Sequence, residues 1–349
     1  MLPDLGVIQG PYLQDILDQP QALRNTLRGL EEPRELRRMA RLLEGRKPGR
    51  IVLTGMGGSF HALHPLRLKL IDHGFTAIAA ETSELIHYES RWLDSQSLLI
   101  VASQSGRSAE VKRLLEMNRG RAPVIAVTNT PESPLAQRAD VAILTSAGAE
   151  FSVSCKTYVT TLTALKWTGD ILCGHDVRRT RRELSTTAAA AAGYLADWEK
   201  HVHSLADWLH PMERLFLVGR GPSLAAVGAG ALITKESVRV HAEGMGSAAF
   251  RHGPFEMLRR GIFVLVFSGE PKTRALHRKL LRDVRQLGAS AEAVGEEAAV
   301  PALELPTVPR DGRPVLEILP AQMVTLALAL KSGHEPGRFA VVSKVTSTE

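Results

Sequence analysis

The chain repeats itself, and that repeat limits the folds open to it more than any other feature. Ile51-Val-Leu-Thr-Gly-Met-Gly-Gly-Ser59 matches Leu215-Phe-Leu-Val-Gly-Arg-Gly-Pro-Ser223. Leu99-Ile-Val-Ala-Ser103 matches Val264-Leu-Val-Phe-Ser268, and Ile125-Ala-Val127 matches Glu292-Ala-Val294. Ser59 to Ser223 is 164 residues, Ser103 to Ser268 is 165, and Val127 to Val294 is 167. A nearly constant offset over three apolar runs marks an internal duplication. The first run is short and β-branched, ends in glycines and precedes a longer helical stretch, Phe60 to Ile71, and the same strand-then-helix pattern recurs at Leu98–Ser103 and Val124–Thr128. Strands alternating with helices in this way predict parallel sheets covered by helices. The expected fold is α/β: two tandem, doubly wound parallel-sheet domains with flanking helices.

A length of 349 residues accommodates two such domains. The expected boundaries are N-terminal helices over 1–45, a first domain over 46–173, a helical linker over 174–203, a second domain over 204–334 and a tail over 335–349. The linker contains Ala188 to Ala192, and alanine favours helix over flexible coil.

Composition excludes several function classes. The net charge of +6 comes from basic residues scattered among acidic ones, and aromatics are only 5%. A nucleic-acid groove needs clustered base with interleaved aromatics, so no nucleic-acid partner is expected. Cys155 and Cys173 show no CxxC or zinc-site spacing and read as free thiols of a reducing compartment. Asp4 is present and no Lys or Arg occurs before Arg24, unlike a secretory leader. No apolar run reads as a bilayer span, so the expectation is a cytoplasmic protein without a membrane partner.

Both glycine turns fail as nucleotide signatures. A dinucleotide fingerprint needs a sixth-place glycine where Phe60 and Leu224 stand, and no Gly-Lys-Ser/Thr follows. A nucleotide-dependent oxidoreductase using Glu81 is therefore disfavoured. A glycine turn that opens a helix can still bind an anion, or can simply be a tight turn. Ser103-Gln104-Ser105-Gly106-Arg107-Ser108 says more. It lies between a strand and a helix, and four of its six residues carry hydroxyl or amide groups. A helix cap accounts for Ser108 alone. The whole group suits a phosphate monoester. In Lys235 to Pro254, Glu236 lies on a predicted helix and His252 precedes Gly253-Pro254. A carboxylate and a histidine can move protons between sugar carbons and a ring oxygen, or can be a surface ion pair and a capping histidine.

Taken together, Ser-Gln-Ser-Gly-x-Ser, Lys-Glu…His-Ala-Glu…Phe-Arg-His-Gly-Pro and Ser343-Lys-Val-Thr resemble the sugar isomerase (SIS) domain family. That family includes the isomerase half of glutamine–fructose-6-phosphate aminotransferase, SIS-type glucosamine-6-phosphate deaminases and fructosamine-6-phosphate deglycases. The resemblance runs from about Leu13 to Glu349. It implies that Gly58, Ser59, Ser103, Gln104, Ser105 and Ser108 hold a sugar phosphate. It implies that Glu236 is the proton-transfer base and that His252, reaching the site across a homodimer, assists ring opening. Lys344, with Ser343 beside it, is implied to contact the sugar, as is the loop at Val153. Neither metal nor cofactor is implied.

Two departures from the family pattern stand out. Ile233 occupies the place of a lysine three residues before the base, and no cysteine precedes Cys155 to act as a glutaminase nucleophile. The expected function is an isomerase or deaminase of amino-sugar or ketose 6-phosphates acting through an enediol or enolamine. The alternatives are a deglycase and a non-catalytic sugar-phosphate sensor.

Overall fold

A computed structural model describes residues 5–31, 33–45, 49–339 and 341. The chain forms two compact units. One comprises residues 21–150, 156–185 and 341–349; the other comprises 1–20, 151–155 and 186–340.

The first sheet lies wholly in residues 50–144. Its strands are β1 (Arg50–Gly55), β2 (Ala77–Glu81), β3 (Ser97–Ala102), β4 (Val124–Thr128) and β5 (Val141–Leu144). All pairings are parallel, in the order β2-β1-β3-β4-β5. β1 and β3 are buried on both faces, which is why they read as unbroken apolar runs and not as alternation. Val52, Leu99, Val101 and Ala126 pack with Val111, Leu114, Leu115 and Leu135 from the covering helices. The chain passes from β1 to one side and returns to the other, so the winding reverses between β1 and β3. In sheets of this kind ligands bind outside the carboxyl ends of the strands at that reversal.

The second sheet repeats the plan with β6 (Arg214–Gly219), β7 (Ala242–Gly246), β8 (Ile262–Phe267) and β9 (Ser290–Val294), parallel in the order β7-β6-β8-β9. Phe216, Val218, Val264 and Val266 form its core with Phe250, Leu280 and Val284. The duplication is therefore real at the level of strand order. Among the described residues the second copy has four strands, and beyond β9 a single parallel bridge joins Gly295 and Glu304.

Residues Val177–Ala196 and Trp198–Trp208 are helices. One finding differs from the sequence reading. Arg310–Ser332 is long and apolar enough by length and composition to cross a membrane. However, 89% of its most apolar window is buried within the fold. A helix surrounded by protein needs no polar face, so it carries the same composition as a span. The chain's start packs on this helix: the Tyr12 hydroxyl lies 3.1 Å from Thr325 Oγ1, and Gln19 Nε2 donates to Gln322 Oε1 at 2.8 Å, all buried.

Candidate active site

β1 and β3 are neighbours, so the turns that leave them lie side by side at the carboxyl ends of the strands. The first turn needs glycine. A Cβ on Gly55 would press to 2.8 Å from the Ala102 carbonyl oxygen, and Gly57 has φ +51°. Gly58 and Ser59 follow in the first turn of the short helix Gly57–Ala62, both half-buried.

The second turn is Ser103 to Ser108. Gly106 has φ +58°, and a Cβ there would stand 2.3 Å from Ser133 Oγ, so only glycine fits. The Gln104 carbonyl accepts from Asn129 N at 3.0 Å and from the Thr128 and Thr130 hydroxyls, which fastens the loop to the end of β4. The serines share one pattern. Ser103 Oγ accepts from Gly106 N at 3.1 Å, Ser105 Oγ from Arg107 N at 3.3 Å, and Ser108 Oγ from Val111 N at 3.4 Å. Each hydroxyl is thus held by a backbone N–H. Among the described residues, no protein acceptor takes its proton. All three are half-buried, as is Gln104. Three fixed hydroxyls with protons to donate match a group that only accepts, such as a phosphate.

Glu236 lies in the other unit, half-buried in the last turn of the helix Leu224–Val238, before Arg239 ends that helix with φ +56°. Its neighbour Ser237 donates to the Ile233 carbonyl at 2.6 Å, and the Ser237 carbonyl accepts from Gly337 N at 2.9 Å. Gly337 is tightly enclosed: a Cβ would meet Ser152 Oγ and the Tyr12 ring. Ser152 Oγ donates to the Gly337 carbonyl at 2.8 Å, and Asp15 Oδ2 accepts from Phe151 N and Ser152 N. Burial, with Cys155 and Glu236 as neighbours, pushes the Tyr12 phenol far up, so it stays a neutral hydroxyl. The helix bearing Tyr12, the 151–155 loop and the turn at Gly337 thus hold the Glu236 segment in place.

The remaining predicted residues separate. His252 is exposed after the short helix Ser247–Arg251, with Gly253 at φ +127° turning the chain away. The Val153 side chain is completely buried, so only its backbone is left to meet a ligand. Ile233 is buried in the core, one turn before Glu236. Ser343 and Lys344 lie outside the described residues. Sequence reading missed the supports: Ser133, Asn129 and Tyr12 carry no motif, although Thr128-Asn-Thr at a strand end was a visible polar signal.

The family described as SIS domain matches residues 46–168. The chain is 30% identical over 351 aligned residues to glutamine--fructose-6-phosphate aminotransferase [isomerizing] of Pyrobaculum aerophilum, covering 97% of this chain and 57% of that protein. The chain thus spans little more than half the length of the curated relatives it matches. The C-terminal domain of glucosamine-fructose-6-phosphate aminotransferase from Francisella tularensis superposes with a TM-score of 0.84 at 22% identity, covering 95% of this chain and 98% of that one. Glucosamine-6-phosphate deaminase from Thermotoga maritima gives a TM-score of 0.80 at 18% identity, with 97% and 100% covered. At those identities the structures establish a shared fold. Residues 46–168 thus match the SIS domain family, and the chain as a whole, with its duplicated parallel sheets, shares the fold of these structures.

Proposed function

We propose that the chain is a phosphosugar isomerase or deaminase acting on an amino-sugar or ketose 6-phosphate. One observation carries the reading: Ser103, Ser105 and Ser108 are each fixed by a backbone N–H and keep a proton to donate. Such a loop holds a phosphoryl group, and anchoring one end of an open-chain sugar supplies rate through positioning. The relatives' names add the substrate class.

In this reading His252 assists ring opening, Glu236 carries a proton between C2 and C1, and Lys344 stabilises the oxyanion that develops. If C2 bears nitrogen, protonation of the enolamine at C1 gives the C2 ketimine, and water hydrolyses that to the ketose phosphate and ammonia. The family draws its histidine from the partner subunit, so the reading includes a homodimer.

The test is incubation with glucosamine 6-phosphate, fructose 6-phosphate and fructosamine 6-phosphates, reading hexose phosphate, ammonia and amino acid release. Glu236→Gln should reduce turnover by about a hundredfold or more while sugar-phosphate binding persists. Full turnover in that variant rejects Glu236 as the base. Release of an amino acid from a fructosamine 6-phosphate would make the enzyme a deglycase. A second reading, a sugar-phosphate sensor, is favoured by the buried Ile233 where the family has lysine. Tight binding of these compounds with no product from any of them would establish it.

A further inference from the structure

The Ser103–Ser108 turn contains one charged side chain, Arg107. Its backbone N–H holds the Ser105 hydroxyl at 3.3 Å, and its side chain is exposed. Among the described residues, no carboxylate pairs with it.

The second repeat shows what a cation in this place does. At the offset of 165 residues between Ser103 and Ser268, Ser105 corresponds to Glu270, Arg107 to Lys272 and Ser108 to Thr273. Both ends of the turn fix this register. Ser103 and Ser268 directly follow β3 and β8, and Ser108 and Thr273 directly precede the helices Ala109–Asn118 and Arg274–Gln286. Between those ends the backbones differ, since the positive φ falls at Gly106 in one turn and at Gly269 in the other. Equal length still places each cation just ahead of the residue that caps its helix.

Lys272 Nζ lies 3.1 Å from Glu270 Oε2, and Arg310 holds the other carboxylate oxygen. Glu270 Oε2 also lies 3.8 Å from where a Cβ on Gly221 would be, so the anion hangs over the glycine turn that leaves β6. Gly221 matches Gly57 of the first repeat in sequence and in backbone, with φ +56° against +51°. The second copy therefore holds an anion between its glycine turn and the cation ahead of its helix. A carboxylate oxygen stands there where a phosphoryl oxygen would lie in the first copy. The first copy keeps the glycine turn and the cation but has Ser105 in place of the carboxylate. The negative charge that Arg107 lacks within the turn is the charge that a phosphate ester brings.

We propose that Arg107 pairs with the phosphoryl group of the substrate and is a specificity-determining residue that selects a doubly charged ester. This rests on the reading of the serine turn as the phosphate cradle. Hydroxyl and backbone donors serve any oxyanion, whereas a guanidinium adds a charge-assisted, forked contact that strengthens with the charge it meets. At pH 8 a phosphate monoester carries about two negative charges and a sulfate ester about one.

The test is calorimetric titration of the full chain with glucosamine 6-phosphate, fructose 6-phosphate and glucosamine 6-sulfate at pH 8. Wild type should bind the phosphates more tightly than the sulfate. Arg107→Gln should weaken phosphate binding at least about tenfold and sulfate binding by less, which narrows the preference. Arg107→Lys puts the second copy's cation into the first and should stay within about fivefold of wild type. Both variants keep the backbone N–H that holds Ser105, and a wild-type Tm checks their fold. Equal phosphate binding by wild type and Arg107→Gln, or an equal loss for phosphate and sulfate, overturns the role of Arg107 and leaves the serine turn as the cradle. Absence of phosphate binding in the wild type overturns the cradle, and this proposal with it.

Discussion

The turn after β3 and the turn after β8 occupy the same place in the two repeats, yet their chemistry differs. In the first, three serine hydroxyls accept from backbone N–H groups and keep their protons. In the second, Ser268 donates to the Val294 carbonyl at 3.0 Å, and Ser223, from the adjacent turn, donates to Glu317 at 2.8 Å. Glu270 stands where the first repeat has Ser105. It pairs with Arg310 and Lys272, and its carboxylate lies 3.8 Å from where a Cβ on Gly221 would be. The serine hydroxyls of the second copy thus already donate to protein acceptors, and its turn already contains an anion. The pair teaches that a duplicated backbone does not duplicate a site: the direction of a few hydroxyl protons decides which copy can bind.

The comparison can be broken most sharply by making one turn like the other. Ser105→Glu places in the first turn the carboxylate that the second carries, and should raise the KM for any sugar phosphate by at least about a hundredfold through like-charge repulsion. An unchanged KM would show that this turn does not bind phosphate. Glu317→Gln probes the second copy. Burial, above all, pushes Glu317 up to about 7. The folded state therefore favours the protonated form. That preference is complete below the ordinary carboxyl value of 4.5 and is lost as pH rises through 7. The loss is worth roughly 3 kcal/mol at most. Denaturant melts of the variant should be more stable than wild type at pH 8 and should show a flatter slope between pH 5 and 8; parallel slopes would mean that Glu317 ionises normally.

Smaller effects sharpen the contrast further. Ser103→Ala removes one donor to a charged group and should raise KM about tenfold; it also leaves the buried Gly106 N–H without its acceptor, so Tm should fall. Gly106→Ala forces a side chain into a left-handed turn against Ser133 and should cost at least about 1 kcal/mol in a denaturant melt. Gly74→Ala shares the positive φ but meets nothing within 4 Å, so it should cost less. Glu270→Ser should leave sugar-phosphate KM within about twofold of wild type, since losing an ion pair in the second turn does not touch the first.

Much of this was legible in the sequence, and for local reasons. β1, β3, β6 and β8 are buried on both faces, so their apolar runs announced themselves, and their constant offset exposed the duplication. The Ser103–Ser108 turn was visible because a cap needs one serine and this loop has three. What stayed hidden depends on distant partners. Ser103 and Ser268 look alike in sequence but hold their protons differently, because only Ser268 finds a carbonyl to donate to. Val153 lay within a recognisable loop, but its burial comes from packing. The helix Lys156–Leu172 is buried all round and carries Lys166 and Asp170, which pair with each other. A single-sequence reading has no means to see that such charges are neutralised inside.

The bonds from Tyr12 to Thr325 and from Gln19 to Gln322 have a consequence for synthesis. They join residues 313 and 303 positions apart. On the ribosome, the first twenty residues emerge long before the helix that will receive them. The five-stranded sheet, contained in residues 50–144, has all its strands available early, whereas the unit holding Glu236 closes only after the helix Ile318–Ser332 has been made. Until then Ile8, Tyr12, Leu13 and Ile16, buried in the finished fold, remain uncovered on the nascent chain.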